Sequence, residues 1–146
     1  MFRQIDLKVD SEGDLVIDDN VDLQLATSQE TIQQNILFRI KTDHLDYGPS
    51  PYIGANLSSF IAAPNTRRKA QIITEAIGIS MQRSPDVPPR LLFIDAVPIG
   101  PHSIAAIVMY FGAVDGTRDT TTIVQYVIEK TISGVDNESI VNTTEL

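Results

Sequence analysis

Apolar and polar residues alternate strictly at the start of the chain. Ile5, Leu7 and Val9 alternate with Asp6 and Lys8, and Val21, Leu23 and Leu25 with Asp22 and Gln24. A period of two puts every second side chain on one face of an extended chain. With a turn at 11–14 and a return through 15–17, this region predicts a small β-meander. The period changes after Thr27. Thr27 and Glu30 have the spacing of a capping box, in which a hydroxyl and a carboxylate satisfy orphan N–H groups at a helix start. Ile32, Ile36, Leu37 and Ile40 then recur on one helical face, and Arg39 and Lys41 stand near the end, where the helix dipole favours cations.

Gly48, Pro49 and Pro51 prevent that helix from continuing. Leu57, Phe60 and Ile61 suit a short helix stopped by Pro64, with Phe60 expected to pack internally. A second long helix follows, capped by Asn65 or Thr66, with Ala70, Ile73, Ile77 and Met81 as its buried stripe. The segments 90–99, 103–114 and 120–130 are rich in β-branched and aromatic residues and read as strands. The turns between them would be Gly100–His102 and Asp115–Arg118. Strands, then helices, then a meander imply an α+β fold: a small, mostly antiparallel sheet packed with two long helices and one short helix. The expected organisation is one domain over 1–132 and an acidic tail over 133–146, mobile unless a partner orders it. No internal repeat or low-complexity block is evident.

Composition narrows the functional classes. The chain has 146 residues, enough for one domain with a real core. Its net charge of −8 argues against nucleic acid and anionic membrane as partners, because both are bound by neutralising phosphates. The same charge suits docking on a basic protein. There are no cysteines, which excludes disulfides and thiolate metal sites. No signal-peptide run is present at the N-terminus, and the run Ile104–Phe111 is too short to span a bilayer as a helix. A soluble protein without a cofactor is expected.

No catalytic motif stands out. Asp18, Asp19 and Asp22 lack the loop pattern of a calcium site and read as a solvated turn. His44 and His102 sit beside turn residues without metal-ligand spacing. There is no G-x-S-x-G elbow and no phosphate-binding glycine loop. Glu30 and Asp46 are conceivable as a glycosidase carboxylate pair, although helix capping and a turn already account for them.

The run Gly13–Ile61 resembles the small baseplate wedge, or sheath-initiator, family of contractile phage tails, which has relatives in type VI secretion baseplates. The likeness rests on Asp22–Ala26 before the first helix, Gln34–Arg39 within it, the aromatic–glycine turns at Tyr47-Gly48 and Tyr52–Gly54, and Gly54–Leu57 after them. It extends over residues 5–112 in the order of elements. The resemblance implies a non-enzymatic virion protein of the tail baseplate, assembled in the host cytoplasm and present in six copies around the tube. Its implied partners are the tail sheath protein and baseplate wedge proteins, with tail tube or hub proteins beside them. Its implied mechanism is acceptance of extended sheath arms by the final strands. The family's Glu-Pro-Arg signature is matched here by Pro88-Pro89-Arg90, so Pro89 and Arg90 become candidates for docking and the glutamate is missing. A rigid helix-to-strand connection explains the two prolines equally well. Tyr47 and Tyr52 are candidate interface anchors. Val124 and Tyr126, on the last predicted strand, are candidates for contact with an added strand, and Pro98 and Pro101 would limit pairing at one end. Two other readings stay open: a tail-associated, muramidase-like glycosidase and an adaptor of a non-contractile particle.

Overall fold

The computed structural model describes residues 5–60, 64–85, 87–101, 103–112, 120–129 and 137–145. The fold is α+β, as the pattern predicts. Helix α1 (Ser28–Lys41) and helix α2 (Arg67–Gln82) pack on one face of a four-stranded antiparallel sheet. The strands are β1 (Leu92–Pro98), β2 (Ser103–Tyr110), β3 (Thr120–Glu129) and β4 (Asn137–Glu145), side by side in chain order. Such an order needs only hairpin connections. Single 3₁₀ turns at Leu57–Phe60 and Pro89–Leu91 precede α2 and β1. The first is the expected short helix, in 3₁₀ form. Phe60 packs against the core as expected, and Ile61 lies outside the described residues.

Local chemistry sets the helix ends. The Thr27 hydroxyl accepts the Glu30 N–H, and the Glu30 carboxylate accepts the Thr27 N–H, completing the capping box. Of the two candidate caps for α2, Thr66 serves, accepting the Lys69 N–H. Asn65 instead donates its side-chain amide to the carbonyls of Gly100 and Ser103, tying the helix start to the β1–β2 turn.

The helix stripes meet the inward residues of the sheet. Ala70, Ile73, Ile77 and Met81 are all buried, as are Ile36 and Ile40, whereas Ile32 and Leu37 sit at the margin. They face Ile104, Ala106, Val108 and Tyr110 of β2 and Val124, Tyr126 and Ile128 of β3. Removing each large aliphatic side chain here from water contributes about 1.5–3 kcal/mol, which makes this layer the main stabilising feature.

Three expectations need correction. The chain beyond 133 was expected to be a tail, yet 137–145 form β4, paired with β3 from Thr120↔Glu145 to Ile128↔Asn137. The β-branched residues of that segment extend a strand that had an edge to offer. The turn 115–118 lies outside the described residues.

The second correction concerns β3. It is flanked by β2 and β4, so Val124 and Tyr126 lie on an interior strand, with side chains turned into the core.

The third concerns the N-terminal meander, which is a closed triangle built from an internal repeat. Asp6-Leu7-Lys8-Val9-Asp10, Asp14-Leu15-Val16-Ile17-Asp18 and Asp22-Leu23-Gln24-Leu25-Ala26 follow one another at a spacing of eight residues. The Lys8 N–H donates to the Gln24 carbonyl (2.8 Å), the Val16 N–H to Lys8 (3.0 Å) and the Gln24 N–H to Val16 (2.9 Å). Three short strands thus pair in a ring. At two corners an aspartate holds the turn: Asp10 Oδ1 accepts from Glu12, Gly13 and Asp14, and Asp18 Oδ1 from Asn20 and Asp22. Gly13 (φ +96°) and Val21 (φ +64°) occupy equivalent left-handed positions.

Candidate interaction surfaces

Among the described residues, the helices cover one face of the sheet and leave the other open. Alternation along β1, β2 and β3 sends Phe93, Asp95 and Val97, then Ala105, Ile107 and Met109, then Ile123, Gln125 and Val127, to the open face. The register aligns them in three rows, Phe93–Met109–Ile123, Asp95–Ile107–Gln125 and Val97–Ala105–Val127. Seven of the nine are apolar, and Phe93 and Val97 are 52% and 42% exposed. Antiparallel sheets with a solvated face usually show polar residues there, so its apolar composition makes this face a candidate interaction surface.

Among the described residues, β1 pairs only with β2, and β1 borders this face. The hydrogen bonds Ile99 N–H to Ser103 and Phe111 N–H to Leu91 fix the parity of the hairpin. Odd-numbered residues of β1 turn their backbone groups toward β2, so Leu92, Ile94 and Ala96 turn theirs outward. Pro98 falls in the outward set, where its missing N–H ends the free row without weakening the hairpin.

Arg90 is exposed in the 3₁₀ turn just before β1, at the opposite end of that edge from Pro98. Pro89 precedes it in the same turn. This places the Pro-Arg pair and the free edge on one border of the molecule.

Tyr47 and Tyr52 lie on the loop after α1 and are 46% and 61% exposed. Edge-to-face contacts hold both, Phe38 with Tyr47 at 6.2 Å between ring centroids and His44 with Tyr52 at 5.5 Å. Leu45, 74% exposed, takes a left-handed φ of +75° in the same loop. The loop is ordered by a residue that sequence reasoning treated as a helix-end cation. Arg39 is 4% exposed, and its guanidinium donates to the carbonyls of Ser80 (2.9 Å), Ile53 (3.4 Å) and Arg83 (3.4 Å). It thereby joins the loop to the C-terminal end of α2, where helix carbonyls lack intrahelical partners. Arg83 adds a bond to the Tyr52 carbonyl at 2.8 Å. The loop returns so closely over the end of α1 that a Cβ on Gly54 would lie 1.7 Å from the Thr42 carbonyl oxygen. Between the loop, α1 and Arg83 is a depression of about 630 Å³ lined in part by Phe38, Pro51 and Tyr52.

Val124 and Tyr126 are placed elsewhere. They are 0% and 3% exposed, and burial, with the negative Asp43 adding to it, pushes the Tyr126 phenol up to about 12. A strand added to the sheet meets neither side chain, because both point toward the helices.

Glu30 and Asp46 are not brought together. Glu30 is in the first turn of α1 and Asp46 lies beyond its last, and the helix from Glu30 to Lys41 alone spans roughly 16 Å, against about 5–9.5 Å for a glycosidase pair. Partial burial pushes the Glu30 carboxyl up. Its 2.8 Å ion pair with Lys8 and the Thr27 N–H outweigh this and hold it below its ordinary value. Asp46 accepts the Asp43 N–H at 3.0 Å. Asp18 is held below the ordinary aspartate value by the Asp22 and Asn20 backbone N–H groups, a turn-capping role.

Compared with protein-family models, curated proteins and solved structures, the chain finds no match.

Proposed function

We propose that this protein is a structural subunit of a contractile-tail baseplate that seeds sheath assembly. In this reading its sheet takes an extended strand from a sheath subunit along the outer edge of β1. The observation that carries it is the outward row of Leu92, Ile94 and Ala96, which pairs with no strand among the described residues and borders an apolar open face; within it the Ala96 N–H is held at 2.9 Å by the Asp95 carboxylate, a local bond that an incoming strand would replace. A strand laid there gains backbone hydrogen bonds, and its alternate side chains extend the rows that begin at Phe93 and Val97. Arg90, beside the start of the same edge, is placed to dock a wedge protein's carboxylate or carbonyl groups through its planar fork. The exposed tyrosines of the loop at 43–56 form a separate contact, on the side of α1 and α2. The family resemblance supports the identity of these neighbours, and the free edge and open face support the mode of contact.

The test is co-purification with the sheath and wedge proteins of the same particle, using two proline variants. Ala96→Pro removes an outward N–H whose bond is to the neighbouring Asp95 carboxylate and not to a strand, and is expected to fold yet lose sheath recruitment. Val124→Pro removes an interior bond and is expected to unfold the sheet. Normal recruitment by folded Ala96→Pro would overturn strand addition at β1. Failure of the unaltered protein to bind either partner would overturn the baseplate assignment itself.

A further inference from the structure

Of the residues in the three rows on the open face of the sheet, Asp95 alone is charged. It is exposed at the middle of β1, with Phe93 and Val97 two positions to either side and Ile107 opposite it on β2. Among the described residues it forms no ion pair. Its Oδ1 accepts the Ala96 N–H at 2.9 Å. That N–H belongs to the outward set of β1, so the carboxylate occupies a donor that an added strand needs.

Strand addition breaks this arrangement. A carbonyl of the incoming strand takes the Ala96 N–H, and Asp95 gives up its hydrogen bond among hydrocarbon neighbours. A carboxylate deprived of its donor beside apolar side chains is costly unless another donor replaces it. The replacement has a defined place. Asp95 turns its backbone groups toward β2, so it faces an antiparallel incoming strand as a non-hydrogen-bonded position, where opposed side chains lie closest. The incoming residue opposite it shares the open face and meets its carboxylate. The incoming residues two positions before and after meet Phe93 and Val97.

We infer that Asp95 selects the strand that β1 accepts: one with a lysine or arginine opposite Asp95 and an apolar residue two positions to either side. The inference rests on the strand addition proposed at β1 and adds the chemistry of the strand. Charge rules against a second copy as the occupant. In the antiparallel registers that pair at least two of Leu92, Ile94 and Ala96 with the same residues of another chain, Asp95 meets Leu91, Phe93 or a second Asp95. None of these supplies a cation. A charge set on the face of an edge strand discourages self-pairing, and a strand without the matching cation is disfavoured in the same way.

The experiment uses the full chain and short fluorescent peptides of alternating valine and threonine, each with a soluble glycine–serine tail. The central valine is kept in one peptide and is lysine or glutamate in two others. In a fourth, lysine replaces the threonine beside an intact central valine, which turns it to the opposite face at equal charge. The central-lysine peptide should bind about fivefold more tightly than the valine and shifted-lysine peptides, with the glutamate peptide weakest. This preference should shrink as salt rises. Asp95→Asn keeps an acceptor for the Ala96 N–H and should abolish the preference for lysine. Asp95→Lys should transfer it to glutamate, an exchange that a merely structural role would not produce. Circular dichroism confirms that each variant is folded. Equal binding of the lysine, valine and shifted-lysine peptides, all lost in folded Ala96→Pro, would overturn selection by Asp95 and leave strand addition standing. A lysine preference that persists in Asp95→Asn would overturn it in the same way. Binding that folded Ala96→Pro retains, or no binding of any peptide at about 1 mM, would overturn both. Self-association of the free chain that Ala96→Pro abolishes would assign the edge to a second copy instead.

Discussion

Replacing Arg39 by methionine tests how the loop at 43–56 is held. The substitution keeps an unbranched apolar stem and deletes the guanidinium. Of the three carbonyls, Ile53 keeps a 2.8 Å bond from the Ser80 hydroxyl, and Ser80 keeps a 3.3 Å bond from the Arg83 N–H. The principal loss is the 2.9 Å charged bond to Ser80, about 1.5–3 kcal/mol, while the two 3.4 Å bonds contribute less. Against this, the cost of burying a cation disappears with it. The net expectation is destabilisation by about 2 kcal/mol, and by about 4 kcal/mol for Arg39→Ala, which also leaves a cavity. Urea unfolding followed by circular dichroism should show a lower midpoint at unchanged slope. Hydrogen exchange should quicken at Ala55, whose N–H donates to the Arg39 carbonyl at 2.9 Å. An Arg39→Met protein as stable as the parent, with unchanged exchange at Ala55, would refute the claim that this guanidinium orders the loop.

Three other substitutions probe backbone geometry and charge. Gly54→Ala forces a Cβ against the Thr42 carbonyl and should cost more than about 3 kcal/mol in urea unfolding, because backbone rather than a flexible side chain must move. Val21→Gly should slow exchange of the Gln24 N–H, since relief of about 1–2 kcal/mol of left-handed strain exceeds the glycine entropy cost of about 0.5–1 kcal/mol. Unchanged or faster exchange would mean the corner is not strained. The Glu30 carboxyl is held below its ordinary value of 4.5, so its contribution is complete above that value and is lost as pH falls through the lowered one. Protection of the Thr27 N–H should therefore collapse in acid, and Glu30→Gln should remove that pH dependence; a persistent dependence in the variant would assign it to another group.

Both helix starts, the buried stripe of α2 and three of the four sheet strands were legible in the sequence because each depends on neighbours within about one helical turn or on strict alternation. Thr27 and Glu30 cap a helix wherever the helix packs. The octads beginning at Asp6, Asp14 and Asp22 were equally present, but alternation alone explains a meander as well as a ring. Only the bonds among Lys8, Val16 and Gln24 distinguish them. Of the candidate contact residues, Tyr47, Tyr52 and Arg90 are exposed, whereas Val124 and Tyr126 face the helices. Their alternation with Gln125 reveals two faces but not which one is covered.

Local composition thus determined which segments are helical or extended and which side chains share a face. Tertiary structure decided that β4 closes one side of β3, that β1 keeps a free edge among the described residues, and that Arg39 turns inward to the end of α2. The physical reason is range. Capping and periodicity act between residues a few positions apart, whereas edge, interior and burial depend on which distant segments come to lie side by side. In this chain the partner of β3 arrives from 137–145 and the acceptors of Arg39 from 53, 80 and 83.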